Sequence, residues 1–209
     1  MKPEHKFFER HLDADLESLE KFLLFKEQKI RDGKFLGISA EDAAEADKSH
    51  CMATALSPKY NVFQLHHPDL HTLMKAIRDM TLEACEYYGV DFEEEQYYLQ
   101  GWFNCDEKSE FENNDPNLLH DHCGGSGIPF FHGYYCVNAE PSVTHYQINR
   151  ETMFDNVNKN NRAILSEVGH PHRKGSWSSD SRRITIAYDM LPLRFLDMDD
   201  ELQHWIPLI

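Results

Sequence analysis

The stretch Asn117-Leu118-Leu119-His120-Asp121-His122-Cys123-Gly124-Gly125-Ser126-Gly127-Ile128-Pro129-Phe130-Phe131-His132-Gly133-Tyr134-Tyr135-Cys136-Val137 decides how this chain is read. Two histidines two apart, entered from Leu118 and Leu119 and left through a glycine-rich turn, fit a strand end on which alternate side chains share one face. His120 and His122 then point the same way and Asp121 points to the other face. Two imidazoles on one face can take two cis positions on a divalent metal, with a third ligand drawn from elsewhere. A chain with 13 His in 209 residues also produces such pairs as surface or hydrogen-bonded histidines. The residues downstream have to separate the two readings.

From Gln96 onward the sequence consists of short aromatic and β-branched runs broken by Asn, Asp, Gly and Pro, the pattern of an antiparallel sandwich or barrel. Strands are expected at 97–104, at the histidine pair, and at 130–138, 143–148, 163–168 and 184–188. A charged loop is expected over 105–116, and an Asn-rich turn over 156–161. In Arg183-Ile184-Thr185-Ile186-Ala187-Tyr188 the alternation is clean, so Arg183 and Thr185 share one face while Ile184 and Ile186 share the other. An arginine inside a small barrel is costly unless it meets a carboxylate, and no acid of the chain stands out as its partner. A ligand carboxylate gripped by Arg183, with help from the Thr185 hydroxyl, answers that need. Upstream, Gly169-His170-Pro171-His172 leaves a strand end, and one of its histidines can complete the metal site.

The first half reads as helical support. Leu16, Leu19, Phe22, Leu23 and Phe25 give an apolar stripe over about 13–29, with acids early and lysines late. Ser39 through Asp42 is a capped start for a short surface helix. Tyr60 to Phe63 reads as a short extended segment after a turn at Pro58. A second long helix should begin at Pro68 or Asp69, bury Leu70, Leu73, Met74, Ile77, Met80 and Ala84, and stop at Gly89. His66, His67 and His71 flank its start in solvated or capping roles.

Composition bounds the function. The length fits one domain over 1–209: a helical region at 1–95, a strand-rich core at 96–193 and a C-terminal extension at 194–209. The formal net charge of −15 opposes a phosphate backbone, so nucleic acid is not an expected partner. Five cysteines in an odd count, without Cys-Xaa-Xaa-Cys spacing, indicate neither a disulfide framework nor a zinc ribbon, and point to a reducing, cytoplasmic setting. No apolar run reaches the ~18 residues of a membrane span, and the charged N-terminus is not a leader. The acidic stretch 106–115 suggests a taste for a cationic amino-acid or amine substrate. The apolar 202–209 segment has either a barrel edge or a partner chain to pack on, which leaves the oligomeric state open.

Across 96–193 these residues resemble the Fe(II)/2-oxoglutarate-dependent oxygenase superfamily. The resemblance rests on Trp102-Phe103-Asn104, the His120 to His122 pair, Gly133-Tyr134-Tyr135, the distal His170 and Arg183-Ile184-Thr185. It implies an α+β chain, mainly β with N-terminal helices, whose core is a double-stranded β-helix of the jelly-roll, cupin-like type. It implies Fe(II) on His120, His122 and His170, with Arg183 and Thr185 on the far carboxylate of 2-oxoglutarate, and Tyr134, Tyr135, Asn104 and Trp102 lining the pocket. His172 is then a neighbour of the ligands or faces substrate, while His132 falls at a barrel turn and His145 on a strand face. With O2, such a site hydroxylates or otherwise oxidises a small-molecule or amino-acid-type substrate and releases succinate and CO2. The departure is His122, which stands where the family usually has Asp or Glu, so the ligand set is three imidazoles. Two other classes stay open: a three-histidine, cupin-like dioxygenase that does not use 2-oxoglutarate, and a non-catalytic jelly-roll binding protein.

Overall fold

Helix α1 (Leu16–Arg31) forms where the apolar stripe predicts it, and it puts Leu19, Leu23 and Ile30 fully inside. Burial of each such side chain favours folding by about 1.5–3 kcal/mol. The Asp15 carboxylate caps the first turn by accepting from Ser18 N at 3.0 Å, and Lys29 and Arg31 lie at the negative end of the dipole. In the computed structural model the structure describes residues 5–35, 37–46, 51–108, 119–122, 130–196 and 204–209. The short helix α2 (Ala40–Ala46) follows a Ser39–Asp42 box in which Asp42 N donates to the Ser39 hydroxyl. A four-residue helix, α3 (Met52–Ala55), comes next. The extended segment expected over Tyr60 to Phe63 holds only for Tyr60 and Asn61: Asn61 accepts from Phe63 N and starts a 3-10 turn, Val62–Gln64.

Helix α4 (Pro68–Tyr88) has Pro68 in its first turn, takes a capping hydrogen bond on His67, and ends at Gly89 in the left-handed region at φ 70. It buries Leu70, Leu73, Ile77, Met80 and Ala84 in the same apolar core as α1, with Met74 packed partly buried against it. The short α5 (Phe92–Glu95) leads into the sheets. Among the described residues, no helix is long and apolar enough to cross a membrane.

The strands are β1 (Phe7–His11), β2 (Tyr97–Asp106), β3 (Phe131–Asn138), β4 (Val143–Gln147), β5 (Met153–Val157), β6 (Arg162–Glu167), β7 (His172–Lys174), β8 (Arg183–Pro192) and β9 (Ile206–Pro207). They form an antiparallel sheet ordered β1-β6-β3-β8-β2-β9 and a second one ordered β5-β4-β7. The expected turn over 156–161 is occupied at its start by β5, and β1 and β7 were not expected. The C-terminal segment pairs Ile206 and Pro207 with β2, so it covers a sheet edge of its own chain.

Alternation on the large sheet separates core from site. Phe103, Phe131, Tyr135, Leu165, Ile184, Ile186, Tyr188 and Met190 face the helices. The intervening Asn104, His132, Tyr134, Arg183, Thr185 and Ala187 face the small sheet. Between His132 and Tyr134 only glycine fits: a Cβ on Gly133 would come within 2.1 Å of the Ile164 carbonyl and 2.3 Å of the Tyr188 ring.

Candidate metal centre and anion pocket

His120 and His172 are antiparallel partners in an isolated bridge beside β7, while β7 itself pairs with β4. Ligand atoms of His120, His122 and His172 lie within 4.8 Å of one another. Their ring centroids are 4.6 Å (His120–His172), 5.1 Å (His122–His172) and 5.3 Å (His120–His122) apart. Imidazoles cis on one ion at about 2.1 Å have centroids roughly 4.5–5 Å apart, so the spacing of the three rings suits a shared ion, and the His172 ring, 6° from parallel to His122, would turn to bind it. The structure brings His172, rather than the His170 expected from the sequence, beside the His120 and His122 rings. The chain turns through Gly169 at φ 98 and Pro171 before it enters β7, and the His170 ring packs instead on His5 at 3.8 Å.

Behind His122 stands Asp189 of β8, which neither spacing nor motif had singled out. Its Oδ2 lies 3.0 Å from His122 Nδ1 and its Oδ1 lies 2.8 Å from His132 Nδ1. These bonds outweigh the burial that opposes the charged form and hold the Asp189 carboxyl below its usual range, so it is ionised and both imidazoles donate. With Nδ1 engaged by Asp189, Nε2 of His122 is the ring atom left for an ion, and among the described residues it is buried with no hydrogen-bond partner. A buried, unpartnered acceptor is costly in a folded protein, and here an ion among the three histidines would satisfy it. Burial favours neutral imidazole at His172, and the neighbouring His132, His120 and His122 add to it, lowering its pKa to about 2. Burial and the charge on His122 likewise take His132 down to about 4. At His122 burial also opposes the charge, but the hydrogen bond and charge of Asp189 raise its pKa above the ordinary value. His132 is therefore not at a barrel turn, as the sequence suggested; it lies in β3, 5% exposed, against the site.

A cavity of about 460 Å³ is lined by these histidines together with Arg183, Trp102, Tyr134 and Thr185. Arg183 is 4% exposed, and the acid missing from the sequence reading is Asp106, its cross-strand partner in the β2–β8 register. Nη1 of Arg183 donates to Asp106 Oδ2 at 3.2 Å and Nε donates to Ser142 Oγ at 3.2 Å; Lys174 also donates to Asp106. Nη2 has no hydrogen-bond partner among the described residues. Thr185 Oγ1 accepts from Asn104 Nδ2 at 3.1 Å, and Asn104 in turn accepts from the Thr54 hydroxyl. Asn104, Trp102 and Tyr134 line the cavity as expected from the sequence. Tyr135 does not: one residue further along β3, it points to the helical core and donates to Asn161 Oδ1 at 2.5 Å. His145 is on a strand face, as expected, paired with Asp155 at 2.7 Å. Most of the acidic 106–115 stretch and Cys123 lie outside the described residues. Cys51, Cys85, Cys105 and Cys136 are free and buried.

No protein-family model matches the chain, and no curated protein matches it in sequence. Solved structures do match it in fold. A prolyl-4-hydroxylase from Pseudomonas putida aligns over 90% of this chain and 93% of its own, with TM-score 0.53 and 6% identity. SnoK, a non-heme α-ketoglutarate-dependent carbocyclase from nogalamycin biosynthesis, aligns over 90% and 80%, with TM-score 0.52 and 12% identity. HygX from Streptomyces hygroscopicus, crystallised with nickel and 2-oxoglutarate, aligns over 91% and 84%, with TM-score 0.50 and 11% identity. The chain thus shares the fold of Fe(II)/2-oxoglutarate oxygenase structures, as the resemblance of its strand-rich half implied.

Proposed function

We propose that this protein is a non-haem Fe(II)/2-oxoglutarate-dependent oxygenase built on a double-stranded β-helix, with the metal held by His120, His122 and His172. The observation that carries the proposal is that these three imidazoles and Arg183 line one cavity. Bound there, Fe(II) would couple the oxidation of 2-oxoglutarate by O2, to succinate and CO2, with oxidation of a C–H bond of a small-molecule or amino-acid-type substrate.

The chain's own residues account for binding and orientation. Arg183 offers Nη2 to the far carboxylate of the 2-oxo acid, and Thr185, whose oxygen is engaged by Asn104, turns its proton to the same group. Lys174 and Arg183 bring two positive charges against the single charge of Asp106, so the pocket still attracts an anion. Trp102 and Tyr134 form part of the same cavity wall, where substrate bound against them would displace water from beside the histidines.

The Asp106–Arg183 pair supports a second reading, a three-histidine dioxygenase that does not use 2-oxoglutarate and in which Arg183 is a structural cation. Protein supplied with Fe(II), ascorbate, O2 and 2-oxoglutarate separates the two. Succinate formation that disappears in His172→Ala is the expected result, and failure of the iron-loaded protein to bind 2-oxoglutarate overturns the proposal.

A further inference from the structure

A three-histidine ligand set leaves the ion without an anionic protein ligand, and His122 stands where a carboxylate would otherwise be. A carboxylate is nevertheless present, one hydrogen bond further out. Asp189 uses one oxygen on each of two imidazoles, His122 Nδ1 at 3.0 Å and His132 Nδ1 at 2.8 Å, so the carboxylate plane is fixed at both ends. The His132 ring lies over the His122 ring, with centroids 3.9 Å apart and planes 20° from parallel, and blocks rotation of His122 from behind. Trp102 covers it at 5.8 Å and 17°. The result is an imidazole whose Nδ1 is taken by Asp189 and whose Nε2, without a partner among the described residues, is left for an ion shared with His120 and His172.

We infer that Asp189 is a positioning residue for the metal site: it holds Nδ1–H of His122 so that Nε2 meets the ion, and supplies from behind that ring the negative charge the ligand set lacks. His132 is the brace that keeps Asp189 on His122. This inference rests on the reading of His120, His122 and His172 as the metal site. A hydrogen-bonded carboxylate raises the basicity of a ligating imidazole and fixes its ring, and partners of this kind commonly matter ~10–100-fold in metal affinity. The rival use of the same atoms is an ion held by His122, His132 and Asp189, whose ligand atoms also lie within 4.8 Å of one another. The hydrogen bonds disfavour it, because Nδ1 of His122 and Nδ1 of His132 are already engaged with the two oxygens of Asp189, whereas Nε2 of His122 is left without a partner among the described residues.

The test is anaerobic Ni(II) binding by the wild-type protein and Asp189→Asn, with Asp155→Asn as control, because Asp155 makes a similar contact to His145 away from the ion. Asp189→Asn should bind Ni(II) about 10–100-fold more weakly and shift the ligand-field bands of the Co(II)-loaded protein, and Asp155→Asn should do neither. If wild type binds no Ni(II), the metal-site reading fails and the inference goes with it. If wild type binds and Asp189→Asn matches it within about twofold, with an unchanged Co(II) spectrum, the inference alone is overturned. Should Asp189→Asn not fold, the decision passes to nitrogen NMR of the Zn(II)-loaded wild type. A slowly exchanging proton on His122 Nδ1, with the metal on Nε2, supports the inference; metal on Nδ1 overturns it and favours the rival ion.

Discussion

His120 and His172 exchange both of their backbone hydrogen bonds: His120 N donates to His172 O at 3.1 Å, and His172 N donates to His120 O at 2.8 Å. In an antiparallel pair this places both side chains on the same face, so the backbone sets two of the three rings side by side before any ion arrives. His172→Ala should therefore lower metal affinity by about two orders of magnitude or more, at least the loss typical of residues one contact further out. His170→Ala should leave it unchanged within about twofold. Equilibrium Ni(II) titration of the two variants checks the assignment.

Arg183→Ala should weaken 2-oxoglutarate binding by about 30-fold or more while metal affinity changes little, because truncating one partner of a buried charge pair costs about 2–5 kcal/mol. Thr185→Val should have a smaller effect in the same direction, about 1 kcal/mol for a lost hydrogen bond. Calorimetric titration of the metal-loaded variants measures both.

Asp106→Ala leaves Arg183 buried without its carboxylate and frees Lys174 of its partner. Such a change should cost about 3–5 kcal/mol of stability, read as a lower urea midpoint at unchanged slope. Conversely, a change confined to 2-oxoglutarate binding would show that the pair has no structural role.

Gly133→Ala should destabilise the fold by ~1–3 kcal/mol or more, since its Cβ meets backbone oxygen as well as a ring edge. Thermal melting with and without metal checks this.

The metal-free protein should lose stability as pH falls from about 6.5 to about 4, the window between the ordinary and the lowered pKa of His132. There the unfolded chain binds a proton at this residue and the folded one does not. His172, lowered to about 2, acts in the same direction and continues below that window. His122 acts oppositely: its raised pKa contributes stability that is present below the ordinary value and lost as pH rises through the folded one. Urea midpoints across this range for wild type and His132→Gln isolate the His132 contribution, and the variant's profile should be flatter.

What the sequence disclosed and what it hid follow from the range of the interactions. The α4 boundaries were legible because proline and glycine act locally, and the facing of Arg183 and Thr185 was legible because alternation is a property of one strand. Asp106 and Asp189 were hidden because their partnerships are cross-strand: Asp106 opposes Arg183, and His132 opposes Asp189, only once the register exists. Asp189 did leave one signal, since it continues the alternation that carries Arg183 and Thr185. That His172 rather than His170 would lie beside the pair was hidden because β7 has three polar residues, His-Arg-Lys, and no hydrophobic periodicity to announce a strand. β1 was missed for a related reason: Phe8 is the only fully buried side chain in a charged edge strand.

A metal and an anion sharing one cavity should report on each other, and anaerobic addition of 2-oxoglutarate to the Fe(II)-loaded protein, followed by visible absorption, tests this most directly. A charge-transfer band that saturates with 2-oxoglutarate, and needs a much higher concentration in Arg183→Ala, is the predicted result. An iron-loaded protein that develops no such band at any concentration of 2-oxoglutarate would contradict the account.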